Sequence, residues 1–156
     1  MKNNKYYRVY AEINLDAIVK NVDNLMALTK ENTGALAVVK ADGYGHGDVA
    51  VAKAVAQKVT GYAVATLDEA VNLRENGVKK PILVLGYVDP YEFDILVSHE
   101  ITATVFDVET AQLLADAARV QKKQAHCHIK VDTGMRRIGL EPDENGIAIV
   151  KQITAL

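Results

Sequence analysis

AHCHIKVD, residues 125–132, reads as a strand with two unlike faces. Successive side chains of a strand point to opposite sides, so His126, His128, Lys130 and Asp132 share one face and Cys127, Ile129 and Val131 the other. Four polar side chains on a sheet face covered by helices would be costly to desolvate. They suit a barrel whose interior end holds a polar ligand. The two architectures open to this chain, a doubly wound sheet and a (β/α)8 barrel, divide on this point, and the stretch favours the barrel.

Working back towards the N-terminus, the runs ALAVVKA (35–41), GYAVAT (61–66), PILVLG (81–86) and TATVFD (102–107) are short and mostly apolar. Parallel strands covered on both faces have that composition. Helices are predicted between them, from about Asp48 to Lys58 and over 67–75, 90–98 and 108–119, with another over 143–153. Val49, Ala52, Val55 and Ala56 form the expected sheet-facing stripe of the first of these. Asn76-Gly77 ends one helix in left-handed geometry, and Pro90 occupies the first turn of the next. Five β/α units at a spacing of about 20 to 25 residues imply a parallel sheet with right-handed crossovers. A complete barrel takes about 250 residues. The 156 residues here therefore predict a partial α/β barrel, broken off inside a helix-to-strand connection at 153–156. Strands 35–41 and 125–132 would be its open edges, which predicts self-association.

The beginning of the chain follows the same grammar. YAEINL (10–15) alternates like a half-exposed strand. Asn14 or Asp16 can then cap a helix carrying Ile18, Val22, Leu25, Met26 and Leu28, which ENTG (31–34) closes.

Composition narrows the function. Apolar residues make up 49% and charged residues 24%, and the net charge is −2. No basic stripe offers a nucleic-acid surface; Lys79-Lys80 and Lys122-Lys123 are isolated pairs. One cysteine, Cys127, can make neither an internal disulfide nor a zinc site, and it reads as a small core residue. His126 and His128 are spaced as a metal pair but lack a third ligand. There is no secretory leader pattern in residues 1–15 and no apolar run of membrane-span length, so the expectation is a cytoplasmic protein that binds neither membrane nor metal.

AVVKADGYGHG (37–47) carries the sharpest chemical signal. Lys40 is open to two readings. One is a lysine at the wet end of a strand. The other is a Schiff-base lysine, because an amine attacks an aldehyde only when neutral and apolar neighbours such as Ala37, Val38, Val39 and Ala41 favour the neutral form. The glycines that follow permit a tight turn and close approach to a ligand. Their spacing matches neither the dinucleotide nor the Walker phosphate loop. His46 reads as a loop histidine more than as a catalyst. Arg137, just past the polar strand, can grip a carboxylate, a phosphate or a phenolate oxygen, or can make a surface ion pair; Arg136 is its solvent-facing neighbour.

AVVKADGYGHG, DEAVNLRENGVKKPILVLG and HIKVDTGMRRIG, in this order and at these distances, closely resemble bacterial alanine racemase from about Ala11 onward. The resemblance implies a homodimeric pyridoxal 5′-phosphate enzyme that interconverts L- and D-alanine for peptidoglycan. It implies a partial (β/α)8 barrel over 15–156 and an N-terminal strand within 1–14 that pairs with a C-terminal β domain. Lys40 would carry the cofactor and act as one base. Tyr44 would reach the cofactor phosphate, Leu85 would line the ring, and Arg137 would bond the phenolic oxygen and place substrate. Lys130 matches a position often carbamylated in the family. Arg136 departs from the small residue common there. The second base and the phosphate loops would lie beyond Leu156, so the piece alone is expected to be inactive. The alternative is a non-enzymatic carrier of the same cofactor on a similar barrel.

Overall fold

A computed structural model describes residues 9–156. Residues 1–8, the first part of the expected N-terminal strand segment, lie outside the described residues. Residues 10–14 run without strand pairing, so the alternation in YAEINL makes no strand here. Asn14, extended at φ −90° and ψ 96°, is the cap: its Oδ1 accepts the Ala17 N–H at 2.9 Å and opens α1 (Leu15–Met26).

After α1 the chain runs β1 (Leu36–Val38), a left-handed turn α2 (Lys40–Gly45), α3 (Asp48–Ala54), β2 (Gly61–Val64) and α4 (Leu67–Glu75). It continues with β3 (Ile82–Val84), a 3-10 turn (Pro90–Glu92), α5 (Phe93–Ser98), β4 (Thr102–Val105), α6 (Val108–Val120), β5 (His126–Ile129) and α7 (Glu144–Ile153). The strands are shorter than the apolar runs because the last residues of each run leave the ladder to enter the loops. The helix predicted over 90–98 opens as a 3-10 turn, with the Asp89 carboxylate accepting the Tyr91 N–H at 3.0 Å. The buried stripe of α3 and its following turn is Val51, Ala52, Val55 and Val59, offset from the expected one.

All five strands are parallel, in the order β1-β2-β3-β4-β5. A doubly wound sheet reverses its strand order at a switch point; this one never does, and it is an arc of a barrel. The register lines up Val38, Ala63, Leu83, Thr102 and His126 across the sheet. Val39, Tyr62, Val64, Ile82, Val84 and Val105 face the helices and form the core with residues such as Ala52, Ala70, Leu73 and Leu96. The Tyr62 hydroxyl donates to Ala52 O at 2.7 Å, and burial pushes its pKa up.

Coverage differs along the arc. β2 and β3 are buried throughout, as expected of covered strands. β1 is not: Leu36 and Val38 are 41% and 43% exposed because β1 has only one neighbour strand. β5 is the other edge, and His126, Cys127 and His128 are all exposed. Cys127 is therefore no core residue. It sits in a crevice with Leu114 and Ala118 of α6 and Ile153 of α7, and desolvation there raises its thiol pKa.

The N-terminal end of the sheet is closed by cations. The Arg74 guanidinium donates to the carbonyls of Val78, Lys80, His99 and Glu100 at 2.7 to 3.1 Å. Lys80 Nζ donates to Val59 O and Lys123 Nζ to Ser98 O. Among the described residues no helix is long and apolar enough to cross a membrane.

Candidate active site

The C-terminal end of β1 does not open into a plain glycine loop. Ala41, Asp42, Gly43 and Tyr44 all hold left-handed helical geometry, with φ between 51° and 60°. For L-residues that conformation costs roughly 1–2 kcal/mol each. Only Gly43 and the following Gly45 escape the cost. At Gly43 there is a second reason for glycine: a Cβ there would meet the Asp48 backbone at 3.2 Å.

Such a turn persists only where its surroundings hold it. Gly43 N–H donates to Val39 O at 2.9 Å, and Gly47 N–H to Asp42 O at 2.8 Å. His46 Nδ1 lies 3.1 Å from both Gly43 O and Tyr44 O, so it serves the turn as a donor. One acid, Glu69, ties the turn down from outside, and a second, Asp48, links the following helix to α4. Asp48 Oδ2 accepts from Asn72 of α4 at 2.9 Å. Glu69 Oε1 accepts the Ala41 N–H at 2.7 Å, while its Oε2 accepts the Ala65 N–H at 2.7 Å and the Thr66 N–H at 3.3 Å.

Continuing the register two residues past Val38, Ala63 and Leu83 brings Lys40, Ala65 and Leu85 to one level at the sheet's C-terminal end. Lys40 is half-buried, not enclosed by the apolar neighbours expected for it; Val39 is the buried residue of the pair. Its Nζ lies 5.9 Å from the centroid of the Tyr44 ring, which is itself 59% exposed. Leu85 is half-buried and donates its N–H to Val64 O at 2.8 Å. Next to it, Gly86 packs so tightly that a Cβ would meet Ala65 O at 2.6 Å. Thr104, on the same level of β4, is buried and donates to Val84 O at 2.6 Å.

At the far edge, Lys130 is half-buried just beyond β5. Its N–H donates to Val105 O and its carbonyl accepts from Leu140 N–H, both at 2.9 Å. Asp132 folds the loop after it. Its Oδ1 accepts the Gly134 N–H at 2.8 Å and the Arg136 N–H at 3.0 Å. These amides hold its pKa below the usual carboxylate range, helped by Met135 N–H and Lys130 and opposed by burial. Arg136 takes left-handed geometry at φ 56°. Arg137 is exposed and makes no ion pair among the described residues.

The predicted residues thus spread along the strand ends. Lys40 and Tyr44 lie together after β1, Leu85 follows the middle strand β3, and Lys130 and Arg137 follow β5 at the far edge. Among the described residues no hydrogen bond joins one of these places to another. His126 and His128 belong to no cluster of three or more side chains that could hold a metal among those residues. Glu69 and Asp132 were not singled out from the sequence as supports. Glu69 had a signal, since Thr66-Leu67-Asp68-Glu69 spells a helix-capping box. Its reach to Ala41, 28 residues away, had none.

The family described as "Alanine racemase, N-terminal domain" matches residues 13–156. An alanine racemase of Desulforamulus reducens is 44% identical over 149 residues, covering 95% of this chain and 40% of that protein. Alanine racemase 1 of Oceanobacillus iheyensis is 42% identical over 154 residues, covering 98% and 41%. The structure of an alanine racemase from Clostridium difficile 630 superposes with a TM-score of 0.92 at 40% identity, covering 97% of this chain and 40% of that one. The chain spans about two fifths of the length of the curated relatives it matches.

Proposed function

The chain belongs to the alanine racemase family, matching its N-terminal domain, and from that premise we propose that the whole protein interconverts L- and D-alanine with pyridoxal 5′-phosphate carried on Lys40. The observation that supports this most directly is the placement of Lys40. A half-buried primary amine stands at the C-terminal end of a strand in an α/β barrel arc, where such folds keep their chemistry, on a turn in costly geometry that the Glu69 carboxylate bonds from outside.

The residues fit the cofactor by the chemistry of the donor set. An aldehyde needs an amine, and Lys40 offers one. A flat apolar ring needs an apolar wall, which Leu85 provides at the same level of the sheet. A phosphate needs donors, and the Tyr44 hydroxyl is one. When bound, the cofactor supplies a sink for the negative charge left on a substrate carbon that loses its proton.

This chain's own residues then divide the work. Lys40 anchors the cofactor and, as a base, takes or returns the α-proton on one face of the substrate. Tyr44 donates to the phosphate. Arg137 would offer a guanidinium to the phenolic oxygen and the substrate carboxylate, and Lys130, as a candidate for carbamylation, would orient that arginine. Racemisation needs a second base on the opposite face, which we assign to the other subunit of a homodimer. The expected place of work is the cytoplasm, supplying D-alanine for the cell wall.

The test is borohydride reduction of the protein at its relatives' full length after loading with the cofactor, followed by peptide mass mapping and a racemisation assay. A single modified site at Lys40, together with exchange of L- for D-alanine, supports the reading. Modification scattered over surface lysines, or racemisation that survives Lys40→Ala, overturns it.

A further inference from the structure

Glu69 sits in the first turn of α4, one level outside the chemistry assigned above. As half of a capping box its ordinary task would be to satisfy the Thr66 N–H, while Thr66 Oγ1 takes the Glu69 N–H at 3.4 Å. Its two shortest bonds go elsewhere. Both are 2.7 Å, one oxygen on Ala41 N–H and the other on Ala65 N–H. Ala65 follows the end of β2, and Ala41 follows Lys40 and is the first residue of the left-handed run. One carboxylate therefore ties together the ends of two neighbouring strands, through Ala65 at the amine's own level and Ala41 one residue past it.

We propose that Glu69 is a positioning residue for Lys40: by accepting Ala41 N–H and Ala65 N–H on separate oxygens, it fixes the left-handed turn and with it the direction in which the Lys40 amine is presented. This rests on Lys40 being the cofactor's anchor. The need for a carboxylate follows from the donors. Both partners are N–H groups, so both atoms of the side-chain head must accept. An amide in its place offers one oxygen and one NH2, and the NH2 would confront an N–H. A charged acceptor also makes the stronger bond. Ala41 gains most, because its left-handed geometry is unfavourable for an L-residue and this is the side-chain bond its N–H makes.

The experiment compares Glu69→Gln, Glu69→Ala and Thr66→Ala in the full-length protein. Thr66→Ala weakens the start of α4 but leaves both oxygens of Glu69 in place. Two quantities are read: hydrogen exchange of the Ala41 amide without cofactor, and the Kd for pyridoxal 5′-phosphate from its visible absorbance. In both Glu69 variants Ala41 exchange is expected to speed up about tenfold and the Kd to weaken about tenfold, the scale of one lost bond to a charged acceptor. Thr66→Ala is expected to change neither. Unchanged Ala41 exchange in Glu69→Ala overturns the proposal, as does a Kd weakened equally by Thr66→Ala, which would make Glu69 a helix cap alone. If the wild-type protein takes no cofactor on Lys40, the functional reading falls instead, and Ala41 exchange still decides whether the clamp exists.

Discussion

At the N-terminal end of the sheet, side-chain cations are stitched to backbone carbonyls: Arg74 to Val78, Lys80, His99 and Glu100, and Lys123 to Ser98. At the C-terminal end the signs are reversed, and carboxylates are stitched to backbone amides. Glu69 takes Ala41, Ala65 and Thr66; Asp107 takes Thr110; Asp132 takes Gly134 and Arg136; Asp143 takes Gly146. The contrast follows from the β/α repeat itself. Each helix starts at the C-terminal end of the strand before it and finishes at the N-terminal end of the strand after it. Orphan N–H groups therefore gather at one end of the sheet and orphan carbonyls at the other. The helix dipoles add up the same way, leaving the C-terminal end attractive to anions. One end is finished with cations on carbonyls and the other with carboxylates on amides.

If the two ends are divided in this way, substitutions should separate activity from stability. Lys40→Ala should have the largest effect, with racemisation falling about 10²–10⁴-fold, the share of a positioned base, while the urea midpoint holds. Arg74→Met should do the reverse. The loss of its carbonyl bonds should cost about 2–4 kcal/mol by urea unfolding and leave cofactor affinity unchanged. A Gly43→Ala change should move both readouts, since left-handed geometry alone costs an alanine about 1–2 kcal/mol, and the new methyl presses on the Asp48 backbone. The smallest effect belongs to Asp132. Its pKa is lowered in the folded chain, so the stability it lends is complete above the usual carboxylate range. That contribution should fade as the pH falls below that range through the lowered value, and Asp132→Asn should remove the acid-side slope seen in the wild type.

Much of this was legible in the residues. α4 falls over 67–75 as its caps predict, because Thr66, Glu69, Asn76 and Gly77 carry local signals for both its ends. The strand order follows from the β/α alternation. The edge position of β1 was legible too, since 35–41 opens the series of β/α units. The half-burial of Lys40 was not, because the apolar composition of its run reads as cover on both faces. The left-handed turn was hidden too. Gly43, Gly45 and Gly47 advertise a turn, but nothing in Ala41, Asp42 or Tyr44 announces positive φ. The bond that steadies Ala41 comes from a helix 28 residues away, and no local pattern encodes it.

The turn beneath the amine has a stereochemical consequence. Its backbone between Ala41 and Tyr44 is the mirror image of an ordinary helical turn. A D-amino acid would settle at Ala41 or Tyr44 without the penalty an L-residue meets there. In a chain assembled by chemical synthesis, D-alanine at 41 should tighten the fold, where almost any other position in the helices would be damaged by it. The segment that follows Lys40 is thus one whose own main chain is already set for the opposite hand.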